Sequence, residues 1–425
     1  MKVLHYTLGF NPIRTGGLIN YVTSLLKSQQ QMGIEVVALY PDFVNMINKN
    51  TSIKKKNSND FIKFGIENSL PLPLFGGIKN PKDFIKTVDK DIYHDFLLRI
   101  KPDIIHVHSL MGIHKEFFES AISLNIPIVL TSHDYFGLAP EPNFYFDNHS
   151  YHNDNSLENW VLASKNALST KKLRLFQTRM YPLFRKISKK INFKKENDVL
   201  NAEFNEDILK DYKNLRKYYE DIFKMISFYH FNSSVSKTVY EKNLNFKINS
   251  KILSLSMDYI ENNAGGRNEV TSLKENIAYI GPDKDFKGFS EFIKLTNILD
   301  SELYNFHTYG YLPQFKYDNI TQHGKYKISD LNNIYKNIDY LIVPSLWKET
   351  FGLIVLEALS FNTTVIVSEN VGAKDIVPKE FRYNKLEEIP SILAKNKKYK
   401  INVKVMEQHT EELQKFYQEV INYEY

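Results

Sequence analysis

The chain has 425 residues, of which 43% are hydrophobic and 24% charged, and its formal net charge is +6 at pH 7. This length suits two or three domains, and the composition is that of a globular protein. The absence of cysteine excludes disulfides and thiolate metal sites and fits a reducing cytoplasm. No apolar run is as long as a membrane-spanning helix, and residues 1–9 lack a signal-peptide core, so we expect neither feature.

The first 250 residues alternate short apolar segments with amphipathic ones. Gly16 and Gly17 open a segment whose apolar residues recur at helical spacing, and another helix is predicted from about Ser234. Strands that alternate with helices form a parallel sheet. The predicted strands of this half are 2–8, 35–40, 103–108, 126–131 and 227–232.

The same alternation starts again near residue 251 and predicts a second α/β domain. We therefore expect a first domain over residues 1–247, a second over 248–405, and a C-terminal helix over 406–425. The predicted strands of the second domain are 251–255, 276–280, 304–309, 340–343 and 364–367.

A long segment without predicted strands, about residues 150–225, forms an insertion in the first domain. Between residues 159 and 195 it has 11 basic residues, no acidic residue and an apolar helical stripe. Three interpretations of this segment are open. It is a solvated helix that packs on its own domain, a contact with anionic lipid or a contact with nucleic acid. Contact with anionic lipid gains about 1 kcal/mol of binding free energy per basic residue. We favour lipid and rank nucleic acid last, because no nucleic-acid motif accompanies the segment. The residues predicted for this contact are Arg179, Arg185, Lys186, Lys189 and Lys190.

The most informative motif is the segment 344–360, which has Glu349 and Glu357 on either side of a Thr-Phe-Gly turn. It follows the apolar run 340–343, so Glu349 lies in a loop at the carboxyl end of a sheet, where open α/β domains bind ligands. The N-terminus of the next helix can receive a phosphate, and Glu357 lies about two turns along that helix. A sugar nucleotide, with a diphosphate between hexose and ribose, has the matching shape.

Two glutamates at this spacing are more often part of a solvated helix face. The full Pro-Ser…Glu-Thr-Phe-Gly…Glu-Ala segment, however, resembles the signature of the family-4 glycosyltransferases, retaining enzymes with the GT-B fold. The resemblance implies two Rossmann-like, doubly wound parallel-sheet domains that face each other across a cleft, with a C-terminal helix that packs back on the first domain.

The resemblance also implies a reaction. A hexose or N-acetylhexosamine would pass from a nucleotide-diphosphate sugar, with UDP the commoner nucleotide, to a glycan, lipid-linked or protein-linked acceptor, as in the synthesis of bacterial surface polysaccharides or glycoconjugates. No metal or other cofactor is expected. Glu349 would hold hydroxyls of the hexose, and Glu357 those of the ribose. The donor-binding residues between them are Thr350, Phe351, Gly352 and Leu353.

Two segments of the first domain add to the resemblance. Gly16-Gly17 alone would more often be a simple turn, but the family places Gly-Gly against the donor diphosphate. His133 and Asp134 end a predicted strand, where a lone His-Asp pair is more often structural. The family places this histidine beside the transferred sugar. Asp134 is a weaker candidate for the acceptor site.

The loop 281–288 predicts a cation at the leaving diphosphate, since Lys287-Gly288 matches the Lys-Gly of the family. The family has arginine where this chain has Pro282, so one cation of the expected site is absent, and Lys284 is a candidate substitute. Asp283-Lys-Asp285 is similar to a metal-binding Asp-x-Asp, but the implied fold needs no metal there.

Smaller matches complete the predicted site. Gly310 follows a predicted strand of the second domain, and His323-Gly324 resembles the loop that lines the nucleobase. His106 and His108 flank a strand end and have a weak claim on the acceptor site.

Two other function classes remain open. One is a GT-B subunit that binds and supports an active glycosyltransferase without catalysing. Pro282 and the segment Asn362-Thr363-Thr364, where the family has Gly-Thr-Pro, favour it, and retention of both glutamates argues against it. Gly372…Asp375 also departs from the Gly-Gly…Glu of the family, as local drift on the scaffold. The other is a different enzyme of the same fold, such as a sugar-nucleotide epimerase or a phosphorylase, which fits the glutamate pair less well. The expected location is cytoplasmic and peripheral at the inner face of the plasma membrane. The sequence predicts no oligomeric state.

Overall fold

The structure is a computed structural model that describes residues 1–45, 47–73, 76–179, 206–262 and 274–423. Within these ranges the strands of the first half are β1 (Lys2–Tyr6), β2 (Glu35–Pro41), β3 (Ser52–Lys56), β4 (Ile62–Glu67), β5 (Ile104–Val107), β6 (Ile128–Thr131), β7 (Tyr145–Phe146), β8 (His149–Ser150), β9 (Phe228–Phe231) and β10 (Ser250–Ile252). The α-helices are α1 (Gly17–Gln31), α2 (Asp91–Ile100), α3 (Lys115–Ser123), α4 (Leu157–Ala163), α5 (Thr170–Phe176), α6 (Glu206–Lys224) and α7 (Ser234–Asn243).

The second half repeats this alternation. Its strands are β11 (Glu275–Ile280), β12 (Tyr304–Tyr309), β13 (Ile320–Gln322), β14 (Tyr340–Val343), β15 (Thr364–Ser368) and β16 (Arg382–Tyr383). Its α-helices are α8 (Phe289–Ile298), α9 (Leu331–Lys336), α10 (Leu353–Ser360), α11 (Ile389–Leu393) and α12 (Met406–Ile421). Short 3₁₀ helices cover Pro81–Phe84, Asp285–Lys287, Ile328–Asp330, Gly372–Ile376, Lys379–Phe381 and Leu386–Glu388.

Each half is built on one sheet whose strand order creates a crevice. The first sheet has the order β10-β9-β6-β5-β1-β2-β4-β3 and is parallel except for β3, and the second has the parallel order β13-β12-β11-β14-β15-β16. The direction of winding reverses between β1 and β5 and between β11 and β14, and ligands bind at the carboxyl ends of strands at such switch points. The predicted fold class, two doubly wound parallel-sheet domains, is confirmed.

The central strands are buried on both faces, which explains their continuous apolar sequences. All residues of β5 and of β14 are buried. Parallel strands covered by helices on both faces read as apolar runs without alternation, so the sequence predicted these strands well. The polar strand β3, which reads Ser-Ile-Lys-Lys-Lys at a sheet edge, was missed because its residues are mostly outside the core.

The strand β10 belongs to the first sheet, so its assignment to the second domain is wrong. It pairs in parallel with β9, with Ser250 beside Tyr229 and Ile252 beside Phe231. The strand reads Ser-Lys-Ile and has one apolar residue, so its sequence pattern does not show which of the two sheets it joins. The domain boundaries themselves stay predictions.

The C-terminal helix α12 packs on α1 of the first half, as predicted. The Tyr21 hydroxyl lies 2.7 Å from His409 Nε2, and the Ser28 and Thr410 hydroxyl oxygens are also 2.7 Å apart. All four residues are buried, so these contacts form under the apolar interface of the two helices.

The predicted insertion contributes helices to the first half. Within residues 151–179 and 206–225, the structure forms α4, α5 and α6 and no strand. The α6 helix buries aromatic and apolar side chains, including Tyr212, Leu215 and Phe223, against the first half. Among the described residues, no helix combines the length and apolar character needed to cross a lipid bilayer.

Candidate functional site

A cavity of about 360 Å³ lies between the two halves. The first half contributes Gly17 and His133 to its wall, and the second contributes Lys287, Glu349 and the turn 350–353. These residues follow β1, β6, β11 and β14, so they come from the carboxyl ends of the central strands of both sheets. The structure therefore brings together most of the residues that the sequence motifs selected.

Two helix N-termini meet at this cavity. A Cβ atom added to Gly17 at the start of α1 would lie 3.4 Å from Leu353 Cδ1 at the start of α10. The preceding residues, Gly16 and Gly352, have φ angles of 135° and 94°, and neither helix has a side-chain cap. Their first amide groups are therefore left to solvent or to a ligand, and the helix dipoles make this region attractive to an anion.

Lys287 and Glu349 form an ion pair at the cavity wall. Lys287 Nζ lies 2.6 Å from Glu349 Oε1, and the Ser345 hydroxyl donates a hydrogen bond to the other carboxylate oxygen. The side chain of Lys287 is 27% exposed and that of Glu349 10%, so both reach the cavity from a mostly buried position. Among the described residues lining the cavity, Lys287 is the one lysine or arginine.

Gly288 explains why Lys287 reaches Glu349. Its φ angle is 76°, and a Cβ atom there would lie 1.8 Å from the carbonyl oxygen of Pro344. Only glycine permits this close contact between the loop after β11 and the loop after β14. The contact fixes the Lys-Gly loop against the segment that carries Glu349.

Pro282 occupies the position where the family pattern predicts arginine, and it lines the cavity. Its carbonyl oxygen accepts a hydrogen bond of 2.7 Å from the Tyr279 hydroxyl, which holds the loop in place. Lys284, the suggested substitute cation, is exposed and does not line the cavity. Its suggested role is therefore not supported by its position.

Glu357 is buried beside the cavity and does not line it. Its carboxylate accepts hydrogen bonds from the Tyr335 hydroxyl at 2.6 Å and the Tyr259 hydroxyl at 3.0 Å. Burial raises the pKa of Glu357, and these two hydrogen bonds lower it. Tyr326 lines the nearby wall, and its pKa is raised by burial and by the charge of Glu357. The ribose-binding role of Glu357 stays a prediction.

The predicted nucleobase loop lies outside the cavity wall. Gly310 donates its backbone N–H to the Gly324 carbonyl at 2.8 Å, and a Cβ atom at Gly310 would lie 2.9 Å from the Gly281 carbonyl oxygen. His323 stacks on Tyr309, with ring centroids 4.2 Å apart. These residues form the edge of the second sheet next to the loop that carries Pro282.

His133 lines the cavity from the first half and is held by other aromatic rings. Its Nε2 atom lies 3.3 Å from His108 Nδ1, and its ring packs 4.9 Å from the Tyr21 ring. Burial lowers the pKa of His133 to about 3, so its imidazole is neutral at pH 7. The Thr350 hydroxyl donates a hydrogen bond of 3.0 Å to the His133 carbonyl, which joins the two predicted motifs directly.

Asp134 does not line the cavity, although the preceding residue His133 does. Its carboxylate accepts hydrogen bonds from the Ser109 hydroxyl at 3.2 Å and the Phe136 amide at 2.9 Å. Burial raises the pKa of Asp134 to about 6. These local contacts support a structural role, and its role at an acceptor site stays a prediction.

The predicted basic surface is only partly described. Arg179 is 70% exposed, lies 3.9 Å from Glu67 and has its guanidinium 5.9 Å from the Phe43 ring centroid. The remaining residues of the prediction lie outside the described residues: Arg185, Lys186, Lys189 and Lys190.

Hydrogen bonds between the halves surround the cavity, and sequence reasoning missed them. The Ser233 hydroxyl donates to the Thr350 carbonyl at 2.6 Å, and the Tyr135 hydroxyl donates to the Lys348 carbonyl at 2.7 Å. The Asp375 carboxylate accepts from both the amide and the hydroxyl of the residue that starts α7, each at 2.6 Å. From the sequence alone, Asp375 was noted only as a departure from the family pattern.

A cluster of three histidines beneath the cavity has the spacing of a metal site. The ring nitrogens of His5, His106 and His108 lie within 4.8 Å of one another, and all three residues are buried. Each of these rings also forms hydrogen bonds inside the protein. The expectation that the reaction needs no metal stays a prediction.

Family models match both halves of the chain. A model described as glycosyl transferases group 1 matches residues 315–386, and a model described as glycosyltransferase family 4 matches residues 15–184. The first match contains Glu349 and Glu357, and the second contains Gly17 and His133. An uncharacterized 41.2 kDa protein in the cps region of Klebsiella pneumoniae is 25% identical over 115 residues, which are 26% of this chain. The matched part spans 32% of that relative.

Solved structures share the whole architecture. Sucrose-phosphate synthase from Thermosynechococcus elongatus has a TM-score of 0.52 at 12% identity, covering 99% of this chain and 96% of that one. An α,α-trehalose-phosphate synthase (UDP-forming) from Burkholderia xenovorans, in complex with glucose-6-phosphate, has a TM-score of 0.55 at 11% identity, covering 98% and 100%. A trehalose-6-phosphate protein from E. coli bound with UDP-2-fluoro glucose has a TM-score of 0.51 at 11% identity, covering 99% and 96%. Such low identities show the fold alone. With the two family models on its two halves, the chain belongs to the group 1 and family 4 glycosyltransferases of the GT-B fold.

Proposed function

We propose that this glycosyltransferase moves a hexose or N-acetylhexosamine from a nucleotide-diphosphate sugar to an acceptor hydroxyl with retention of configuration. The observation that carries the proposal is the convergence of two helix N-termini, Lys287 and Glu349 on one cavity between the halves. Amide groups and a lysine suit a diphosphate, and a carboxylate suits sugar hydroxyls. A nucleotide sugar, which has both a diphosphate and sugar hydroxyls, therefore fits the cavity better than a nucleotide alone or a sugar alone.

Donor binding would rearrange the ion pair of the site. A diphosphate between α1 and α10 would compete with Glu349 for Lys287 Nζ, since both are anions. Glu349 would keep the hydrogen bond from Ser345 and turn its free oxygen toward hydroxyls of the hexose. The position of the anomeric carbon would then be fixed by Glu349 on one side and His133 on the other.

Transfer would depend on stabilising the leaving diphosphate. The bond between the anomeric carbon and the diphosphate oxygen breaks, the acceptor oxygen bonds to the same face of that carbon, and the acceptor proton passes to a diphosphate oxygen. Negative charge grows on the diphosphate as this bond breaks. Lys287 and the backbone amides of 350–352 would stabilise that charge. The proposed front-face reaction requires no protein nucleophile.

UDP is the proposed nucleotide, and the support for it comes from structural neighbours. The Burkholderia xenovorans synthase is described as UDP-forming, and the E. coli protein is bound with UDP-2-fluoro glucose. The proposed acceptor is a glycan, a lipid-linked sugar or a protein-linked sugar, as in the synthesis of a surface polysaccharide or glycoconjugate. The proposed location is cytoplasmic, with the basic insertion in contact with an anionic membrane.

Substitution of Glu349 by glutamine tests the proposal. The amide keeps the volume of the side chain but removes the charge that faces Lys287. We expect Glu349→Gln to lower transfer by about 100-fold or more, the usual cost of losing a transition-state interaction, while the nucleotide still raises the melting temperature. A panel of UDP-, GDP- and ADP-sugars, scored by release of free nucleoside diphosphate and by thermal protection, is the measurement.

A matched control is Glu291→Gln in α8, whose carboxylate pairs with Lys294 on the protein surface away from the cavity. This variant should behave like the unchanged protein. Full transfer by Glu349→Gln would rule out the role proposed for that carboxylate.

A non-catalytic GT-B subunit is the second candidate, and Pro282 at the cavity wall is the observation that favours it. Such a subunit would gain thermal stability from a nucleotide sugar but release no nucleoside diphosphate with any member of the panel. The same panel therefore separates the two functions.

A further inference from the structure

One end of a buried hydrogen-bond network begins at a backbone carbonyl, which fixes the direction of its protons. His230 Nε2 lies 2.8 Å from the Leu253 carbonyl oxygen, which can only accept, so this nitrogen carries the proton. His230 Nδ1 therefore accepts from the Thr131 hydroxyl at 2.8 Å. Thr131 has no second proton, so His106 Nε2 donates to it at 2.5 Å, and His106 Nδ1 accepts from the Tyr417 hydroxyl at 2.5 Å.

The network continues from Tyr417 to the cavity with the same direction. The Tyr417 proton is used at His106, so the Gln29 amide donates to the Tyr417 oxygen, at 3.3 Å. That orientation leaves Gln29 Oε1 as the acceptor for His5 Nε2–H at 2.7 Å. His5 Nδ1 then accepts from His108 Nε2 at 3.0 Å, and His108 Nδ1 accepts from His133 Nε2 at 3.3 Å.

Nine groups thus form one directed series, which we name the histidine chain: Leu253, His230, Thr131, His106, Tyr417, Gln29, His5, His108 and His133. Its direction requires neutral rings. Burial lowers the pKa of His5 and of His230 to about 4, and it holds the pKa values of His106 and His108 well below the usual range. A neutral histidine has one donor and one acceptor nitrogen, so both ring nitrogens of His230, His106, His5 and His108 are satisfied.

At the end of the chain, His133 lines the cavity with one nitrogen unassigned. Its Nε2 atom donates to His108, and its Nδ1 atom has no hydrogen-bond partner in the part of the protein that the structure describes. We infer that the histidine chain fixes His133 in the Nε2–H tautomer, so that Nδ1 faces the ligand as an acceptor of a hydrogen bond from a sugar hydroxyl. Gln29 and Tyr417 are then positioning residues for a side chain that neither of them touches.

This inference rests on the proposed function for the identity of the ligand, but the tautomer itself does not. Tyr417 lies on α12 and Gln29 on α1, so the helix that crosses back to the first half is linked to the cavity through hydrogen bonds as well as through packing. The acceptor nitrogens of His5, His106 and His108 already accept hydrogen bonds within the histidine chain. A metal ion at these three rings would have to break the chain.

Histidine tautomers can be read directly by long-range ¹H–¹⁵N correlation spectra of protein labelled with ¹⁵N-histidine, with His133 assigned by its absence in His133→Asn. We expect His133 to show the Nε2–H pattern alone at pH 7. Gln29→Met, which keeps the length of the side chain but cannot fix the His5 tautomer, should give a mixture of both patterns. Tyr417→Phe should do the same from the other helix, because it leaves the Gln29 amide free to turn over.

The matched control is Ser28→Ala, which removes a buried hydrogen bond between the same two helices outside the chain. It should leave the His133 pattern unchanged. An Nδ1–H pattern in the unchanged protein would overturn the inference, and so would an unchanged His133 pattern in both Gln29→Met and Tyr417→Phe. Stoichiometric binding of added Zn²⁺ at His5 and His108 would overturn it as well. No sugar nucleotide is used, so a failure here is distinct from a failure of glycosyl transfer.

Discussion

At the scale of single residues, the lysine Lys287 and the carboxylate Glu349 neutralise each other's charge at the wall of the cavity. Each is the other's ion-pair partner, and each is suited to a different part of a nucleotide sugar. The glycine after Lys287 is what makes the pairing geometrically feasible, since a side chain there would collide with the Pro344 carbonyl. In the proposed reaction, Lys287 is therefore the one lysine or arginine among the described cavity-lining residues that can stabilise the diphosphate.

Pro282→Arg should therefore raise transfer activity. The substitution keeps the carbonyl that accepts the Tyr279 hydrogen bond and adds a guanidinium at the cavity wall. We expect kcat to rise by about tenfold, equivalent to about 1.4 kcal/mol of extra stabilisation of the leaving group. The control is Pro282→Gln, which frees the backbone equally but adds no charge. Equal rates for the two variants would show that a second cation is not what the site lacks.

At the scale of elements, how well each strand was predicted depended on its surroundings. The predicted bounds of β12 and β14 match the structure, and both strands lie inside a sheet. All four residues of β14 are buried, which explains its continuous apolar run. The edge strand β10 was assigned to the wrong sheet, because an edge strand has one partner and its sequence does not name that partner. The sequence pattern predicts that a strand forms, but the tertiary packing of the strand determines which strand it pairs with.

In the site as well, the sequence predicted some features and missed others. The motifs selected Gly17, His133, Lys287 and Glu349. These residues converge because each follows the carboxyl end of a central strand that faces the cavity. The motifs also selected Glu357, whose carboxylate is bound by two tyrosines from segments that no motif connects to it. Contacts that depend on the angle between the two halves could not be predicted from local sequence.

The N-terminus of α7 is one such contact, and Asp375→Ala tests it. Asp375, from the second half, accepts two hydrogen bonds from Ser234 and places a negative charge at the positive end of the helix. Its loss should cost about 1 kcal/mol, as for other helix caps, and speed hydrogen exchange in residues 234–243. Hydrogen-exchange mass spectrometry is the measurement. The control is Glu380→Ala, an exposed carboxylate of the same half, and equal exchange in the two variants would contradict the prediction.

At the scale of the whole molecule, two surfaces have different tasks in the proposed reaction. The cavity between the halves needs a small anionic donor, and its wall is set by the carboxyl ends of both sheets. The basic insertion belongs to the first half, which the resemblance assigns to the acceptor. A lipid-linked acceptor would bring the membrane to that half, so a basic surface there is consistent with the proposed chemistry.

Binding to anionic vesicles tests this arrangement. We expect the protein to cosediment with vesicles of 30% phosphatidylserine and 70% phosphatidylcholine, and to be released as salt is raised from about 0.05 M to about 0.5 M, because exposed charges are screened. The triple variant Lys186→Glu, Lys189→Glu and Lys190→Glu should abolish binding, since each basic residue near the surface contributes about 1 kcal/mol.

The control must change the net charge by the same amount elsewhere. Lys395, Lys397 and Lys400 are exposed lysines of the second half, and their replacement by glutamate is the matched triple variant. If only overall charge attracts the protein to the membrane, both triple variants will lose binding equally, and the insertion has no special role. If the insertion is the contact, the control variant will keep most of its binding. Cosedimentation that does not respond to salt would argue against an electrostatic contact altogether.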